Sequence, residues 1–290
     1  MSGKTGEPAT VALYADLARE SARATAIAVA ETIRTAGYQI ALCDDQDALL
    51  GLSAPGAKVE EAVLLVTIGG DGTLLRAAQI AAPHGIPLFG INTGRLGFLT
   101  EIDGRAAALS VIPEILQNGF AIDERTALEA RVHGKSYFAL NDIVVRRTAE
   151  SHMTPFGIYV DGKEAAHVPA DGVMVATPTG STAYFLSAGG PILAPEVAAF
   201  GIIALLPHTL FARPLVVPES STIVLSCDAS SETVALEADG LTVDALHAGD
   251  RVTVTRYARP VRFARRAPIN FFSLLEAKLR WNAPIKEREG

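Results

Sequence analysis

Apolar and polar positions along the first part of the chain alternate between short buried-strand patterns and helical spacing. Residues 11–14 read as a first strand, and the Ala-rich run 21–35 as a helix that Gly37 is placed to end. Residues 39–42 form a second short strand. Residues 63–68 form a third, apolar on both faces as a buried parallel strand would be. Residues 74–82 continue as a helix until Pro83 and Gly85, 86–91 make a fourth strand, and 104–117 a further helix. Strands alternating with helices indicate a parallel sheet with helical crossovers.

The pattern changes near Gly119. Beyond it, apolar and polar residues alternate along strand candidates at 128–132, 137–146, 157–160, 222–227, 233–236 and 251–258. Asp161-Gly162 and Asp239-Gly240 are the strongest hairpin marks. This half reads as mainly antiparallel β, and 272–281 as a final helix. The expected organisation is an α/β domain with a parallel sheet over 1–119, a mainly antiparallel β domain over 120–270, and a C-terminal helix, 271–290, returning to the first domain.

Composition narrows the function. The chain has 290 residues, 49% hydrophobic and 20% charged, which suits a globular protein with a sizeable core. A net charge of −7 argues against nucleic acid or an anionic membrane as partner and leaves anionic small ligands open. The two cysteines, Cys43 and Cys227, sit in apolar stretches outside any metal spacing and read as buried small hydrophobes. The six histidines show no ligand spacing; His208 reads as structural, and His152 as a surface residue with a weaker reading as a ligand contact. With no apolar run of membrane-spanning length and no apolar core in MSGKTGEPAT, a cytoplasmic location is expected.

Two runs carry the chemistry. Gly69-Gly70-Asp71-Gly72-Thr73 follows a buried strand and opens a helix, a shape that brings backbone N–H groups to an anion. A carboxylate there repels phosphate, so Asp71 is either an N-cap or a base or metal ligand. Arg76, one turn on, either reaches a phosphate or is a solvated surface arginine. The second run, 171–187, reads DGVMVATPTGSTAYFLS, with more hydroxyls and small side chains than one helix cap needs. Between them, Asn141-Asp142 interrupts a β pattern, as a bulge or turn cap would, or as a ligand contact.

GGDGT resembles the signature shared by NAD kinases with diacylglycerol and sphingosine kinases. INTGRLGFL at 91–99, Asn141-Asp142, DGVMVATPTGSTAY at 171–184, LSAGGPI at 186–192 and PHTLFARPLVV at 207–217 are similar to NAD kinase blocks, in that family's order. The resemblance implies phosphoryl transfer from ATP to the 2′-hydroxyl of the adenosine ribose of NAD. It implies Asp71 as general base, with Gly70, Gly72, Thr73 and Arg76 beside it. It places Asn141, Asp142, Asp171, Thr182, Ala183, Tyr184 and Ser187 on the dinucleotide, in a crevice between the domains. Mg²⁺ would arrive with ATP rather than on protein ligands, and a homodimer or homotetramer is expected. Two departures stand out: the family's Asn-Glu is Asn-Asp here, and Pro169 stands where a basic residue often precedes the Asp171 position. The alternatives are a lipid kinase of the same superfamily and a non-catalytic dinucleotide sensor.

Overall fold

The computed structural model describes residues 8–94, 97–148, 154–209, 212–228, 234–268 and 270–279. In chain order the first elements are β1 (Thr10–Ala15), α1 (Glu20–Thr35), β2 (Gln39–Leu42), α2 (Asp44–Leu50), β3 (Leu64–Gly69), α3 (Asp71–Ala81), β4 (Leu88–Asn92), β5 (Ile102–Asp103), α4 (Gly104–Asn118) and β6 (Ala121–Arg125). Then come β7 (Leu128–Val132), β8 (Lys135–Ala139), β9 (Asp142–Arg147), β10 (Thr154–Val160), β11 (Lys163–Ala170), β12 (Gly172–Ala176), α5 (Tyr184–Ser187), β13 (Ala199–Leu205) and β14 (Leu215–Pro218). The last are β15 (Ile223–Cys227), β16 (Val234–Ala238), β17 (Leu241–Leu246), β18 (Arg251–Arg256), β19 (Val261–Arg265) and α6 (Phe271–Leu279). The chain divides into two compact units, 1–124 with 262–290, and 125–261.

In the first unit the sheet order is β2-β1-β3-β4-β19-β6, with β5 also on β4. The pairs β1–β2, β1–β3, β3–β4 and β4–β19 are parallel. All six residues of β3 are buried, which explains why its sequence is apolar on both faces. α1 ends where expected: Gly37 has φ 85°, and the Tyr38 N–H donates back to Ile33 O at 3.2 Å. Val11, Leu13, Ala26, Ile33, Leu64, Ile68, Ile91 and Ile112 share one core beneath these helices.

The second unit is two six-stranded sheets, β11-β10-β15-β18-β7-β8 and β14-β13-β12-β9-β16-β17. Leu128, Val145, Phe156, Val173, Phe200, Leu225, Leu236 and Val254 fill the layer where these sheets pack. The other face of β9 and β12 carries Val144, Met174 and Ala176 against Phe185 of α5. Asp161-Gly162 and Asp239-Gly240 close the β10–β11 and β16–β17 hairpins with φ of 50° and 78°, and of 49° and 77°. Two consecutive positive φ values are the requirement of a type I′ turn. His133-Gly134, at 52° and 72°, closes a third such hairpin that the sequence did not mark.

Several expectations need correction. The strand expected over 137–146 is two strands, because Leu140 and Asn141 break the ladder between β8 and β9. Cys227 is buried, but Cys43 is only half-buried, since it precedes α2 at the sheet margin. Thr233 and Trp281, the ends of an expected strand and of the final helix, lie outside the described residues, as does His152.

Candidate functional site

Asp71 is not the N-cap of α3. Gly70 holds that position in extended conformation, and Asp71 is the first helical residue. Its carboxylate instead organises the loop after β4. The Phe98 N–H donates to Asp71 Oδ2 at 2.6 Å and the Leu99 N–H to Asp71 Oδ1 at 3.1 Å. A Cβ on Gly97 would overlap the same carboxylate, which would have to shift from its two amide bonds. Each oxygen accepts one backbone bond and keeps a lone pair for another donor.

The loop is fixed from its far side by Arg265 of β19, whose side chain is 2% exposed. Its Nη1 donates to Leu99 O at 3.0 Å and to Glu101 Oε2 at 3.1 Å, and its Nε to Asp123 Oδ2 at 3.3 Å. The Leu99 residue is thus held at its N–H by Asp71 and at its carbonyl by Arg265. Thr73 is buried beside Gly69, where a Cβ would collide with the threonine side chain. Gly72 is exposed in the first turn of α3 and Arg76 in the second, and Gly70 is half-buried. Arg95, inside the INTGRLGFL block, lies outside the described residues.

In the second unit, Asn141 and Asp142 enter β9 at the end where it pairs with Ala176 of β12. Asp239, in the β16–β17 turn, collects three backbone donors there: Leu140 at 2.9 Å, Asn141 at 2.7 Å and Asp142 at 3.3 Å. The small-residue turn after β12 packs on the same segment. Thr177 Oγ1 donates to Leu140 O at 2.6 Å, the Thr177 N–H donates to Asn141 O at 2.9 Å, and a Cβ on Gly180 would strike the Asn141 backbone. Burial first, then the Asp239 and Glu237 charges, raise the Asp142 pKa to about 7. Burial also raises the Asp239 pKa, against the three amides that favour its ionised form. The two buried carboxyls thus differ in support: three amides favour the ionised form of Asp239, whereas every cause acting on Asp142 favours its protonated form.

The hydroxyls of the turn serve mainly the turn itself. Ser181 Oγ donates to Pro178 O at 2.6 Å and accepts the Leu193 N–H at 2.9 Å. Thr182 Oγ1 donates to Thr179 O at 3.2 Å. None of them caps α5 through its side chain, and α5 is a single turn after a break at Ala183. Tyr184 and Ser187 project from it and are exposed.

At the other end of β9 and β12, a cavity of about 460 Å³ is lined by Arg146, Arg147, Thr148, Asp171, Tyr184, Ser187, Ala188, Leu205 and Leu206. That is the size range of small-molecule pockets. Arg147 Nε donates to Asp171 Oδ1 at 2.7 Å, and Arg146 Nε lies 3.3 Å from Glu237 Oε1. The structure thus brings Asp171, Tyr184 and Ser187 into one cavity. It sets Asn141 and Asp142 at the opposite strand end, roughly 14 Å away at about 3.4 Å per residue. The cation on Asp171 comes from Arg147 on the neighbouring strand, whereas Pro169 pairs with Pro155 in the other sheet. Arg147, Asp239 and Arg265 are the residues sequence reasoning missed; Asp239 had been read only as a turn former. His208 contributes its backbone N–H to Pro169 O at 2.8 Å. Among the described residues no cluster of His, Cys, Asp and Glu suits a metal ion, and no helix is long and apolar enough to cross a membrane.

A glycine-flanked turn opening a helix after a doubly buried strand, together with a second small-residue turn on a β unit, defines a nucleotide-handling α/β protein. The family model of the ATP-NAD kinase N-terminal domain matches residues 55–120, and that of the C-terminal domain residues 140–266. An NAD kinase of Moorella thermoacetica is 38% identical over 93% of this chain and 89% of its own length. One of Polaromonas naphthalenivorans is 36% identical over 95% and 97%. The crystal structure of yeast NADH kinase complexed with NADH superposes with a TM-score of 0.86 at 26% identity, covering 97% of this chain and 90% of that one. An Archaeoglobus fulgidus NAD kinase in complex with ATP gives 0.74 at 25% identity, covering 94% and 98%. The chain belongs to the NAD kinase family.

Proposed function

We infer that this protein phosphorylates NAD with ATP, and that Asp71 is the base. The observation that carries the reading is Asp71 itself, held by two backbone amides at the head of α3 in a chain of this family. The ribose 2′-oxygen attacks the terminal phosphorus of ATP, the bond from that phosphorus to the bridging oxygen breaks, and ADP leaves. The hydroxyl proton passes to a free lone pair of Asp71, giving NADP, ADP and a proton. Fixing the carboxylate by two amides of a loop that Arg265 braces suits this chemistry, because phosphoryl transfer depends mainly on positioning and charge.

Asp171, Tyr184 and Ser187 line a cavity suited to part of the dinucleotide, and Asn141, Asp142, Thr182 and Ala183 are assigned to the same ligand. Gly70, Gly72 and Thr73 shape the turn near the phosphates, with Arg76 exposed beside them. A divalent cation, Mg²⁺, enters with ATP as part of the substrate and neutralises phosphate charge. The family relation is also the support for a cytoplasmic homodimer or homotetramer. The test is a coupled assay for NADP with purified protein, Mg²⁺, ATP and NAD, run beside phosphorylation of diacylglycerol and sphingosine. NADP formation without lipid turnover is expected; lipid turnover without NADP overturns the reading.

A further inference from the structure

Helix α6 brings another cation to the Asp71 loop. Lys278 lies in its last turn, with Nζ 5.9 Å from the centroid of the Phe98 ring. Phe98 is the residue whose N–H donates to Asp71 Oδ2. One loop residue therefore has the carboxylate at its amide and an ammonium over its ring. The Nζ is buried and makes no hydrogen bond among the described residues. An ammonium has three N–H donors, and a buried one without an acceptor is costly. The Phe98 face offsets only part of that cost. Burial lowers the Lys278 pKa, opposed by the charges of Asp71 and Asp103, which are near enough to be felt without bonding to it. An anion bearing several oxygens satisfies these donors.

Resting on the kinase reading above, we propose that Lys278 contacts the phosphoryl group in transfer, its Nζ donating to a non-bridging phosphate oxygen. The attacking hydroxyl lies within hydrogen-bond reach of Asp71, so the phosphorus it attacks is close by. A cation over the adjoining Phe98 ring stands where negative charge redistributes. Lys278 neither gives nor takes a proton; the proton goes to Asp71, and the phosphorus–oxygen bonds change as described above.

The test compares wild type, Lys278→Met and Lys278→Arg by titration calorimetry of Mg–ATP without NAD, and by steady-state kinetics. Loss of one charge-assisted contact predicts ATP affinity about 10- to 100-fold weaker in Lys278→Met, a lower kcat, and a KM for NAD within two-fold of wild type. Lys278→Arg keeps most of the ATP affinity. Should Lys278→Met fold poorly, Lys278→Gln takes its place. ATP affinity and kcat unchanged within two-fold in the neutral variant overturn the proposal. So does a loss shared equally by ATP and NAD, tracking Tm and not recovered by arginine. Absence of NADP from the wild type sinks the kinase reading instead, while the ATP titrations still decide Lys278.

Discussion

Replacing Asp142 by asparagine tests the electrostatics of the second unit. Asp142 is 4% exposed at the start of β9, and its pKa is raised from 3.8 to about 7 by burial, then Asp239, then Glu237. Between pH values of about 4 and 7 the folded chain holds a proton there that the unfolded chain has released. Stability therefore falls as pH rises through that window and stays at its reduced level above it. The displacement corresponds to about 4 kcal/mol in full, of which about 2–3 kcal/mol accrues between about pH 5 and pH 8. Asparagine keeps the shape and carries no charge, so Asp142→Asn escapes the penalty. Its stability gain over wild type grows by that amount across the window, or roughly 5–10 °C in Tm for a unit of this size.

The measurement is urea unfolding of both proteins at a series of pH values, with the difference plotted against pH. A difference that is flat, or that shrinks toward pH 8, refutes the assignment of the proton to Asp142. The same preparations report on binding. Asp142→Ala is expected to raise KM for NAD and leave that for ATP nearly unchanged. An unchanged NAD KM with a lower Tm leaves Asp142 as a residue of the β8–β9 break alone.

Asp71→Asn removes the proposed base and also turns one acceptor into an NH₂ that meets a backbone donor, either Phe98 or Leu99. A kcat loss of roughly 10²–10⁴-fold and a lower Tm are expected together, and near-normal turnover removes Asp71 from the base role. Gly97→Ala places a methyl group in the Asp71 carboxylate. If Asp71 is the base, this is expected to lower kcat by more than about ten-fold while the KM for NAD stays near wild type, since displacing a catalytic group typically costs that much or more; unchanged kcat disproves the fit. His133 has its pKa raised above 6.5, first by its hydrogen bond to Asp250. The stability it contributes is full below that ordinary value and is lost as pH rises through the raised one. The Tm gap between wild type and His133→Gln is therefore wider at pH 6 than at pH 8.5, and an equal gap at both removes the ion pair from the account.

The elements that periodicity reveals are those whose own residues carry the pattern, whatever the distance to their partners. β3 reads as buried because every residue in it is buried, and the Asp-Gly hairpins read as turns because two adjacent positive φ values demand those residues. Val261–Arg265 gave no such signal. It is a short strand that leaves the β unit and pairs with β4, some 170 residues earlier, through Phe263 and Leu88. Its Arg265 reads as one more surface charge until that pairing places it beneath the Asp71 loop.

The same limit explains the site. A carboxylate in GGDGT or in an Asp-Gly turn declares its residue type in the sequence, but not which amides it accepts. Asp71 serves Phe98 and Leu99, 27 and 28 positions away, and Asp239 serves residues 97 to 99 positions away. Both arrangements join a helix or hairpin turn to a loop that follows another strand, so strand order decides them, and strand order is a property of long-range closure rather than of local pattern. Asp239 shows the consequence most clearly. Its three amides fix the backbone of Leu140, Asn141 and Asp142, and its charge adds to burial in raising the Asp142 pKa to about 7. A single Asp-Gly turn thereby sets where the polar pair emerges and adds, after burial, to the raised pKa of Asp142.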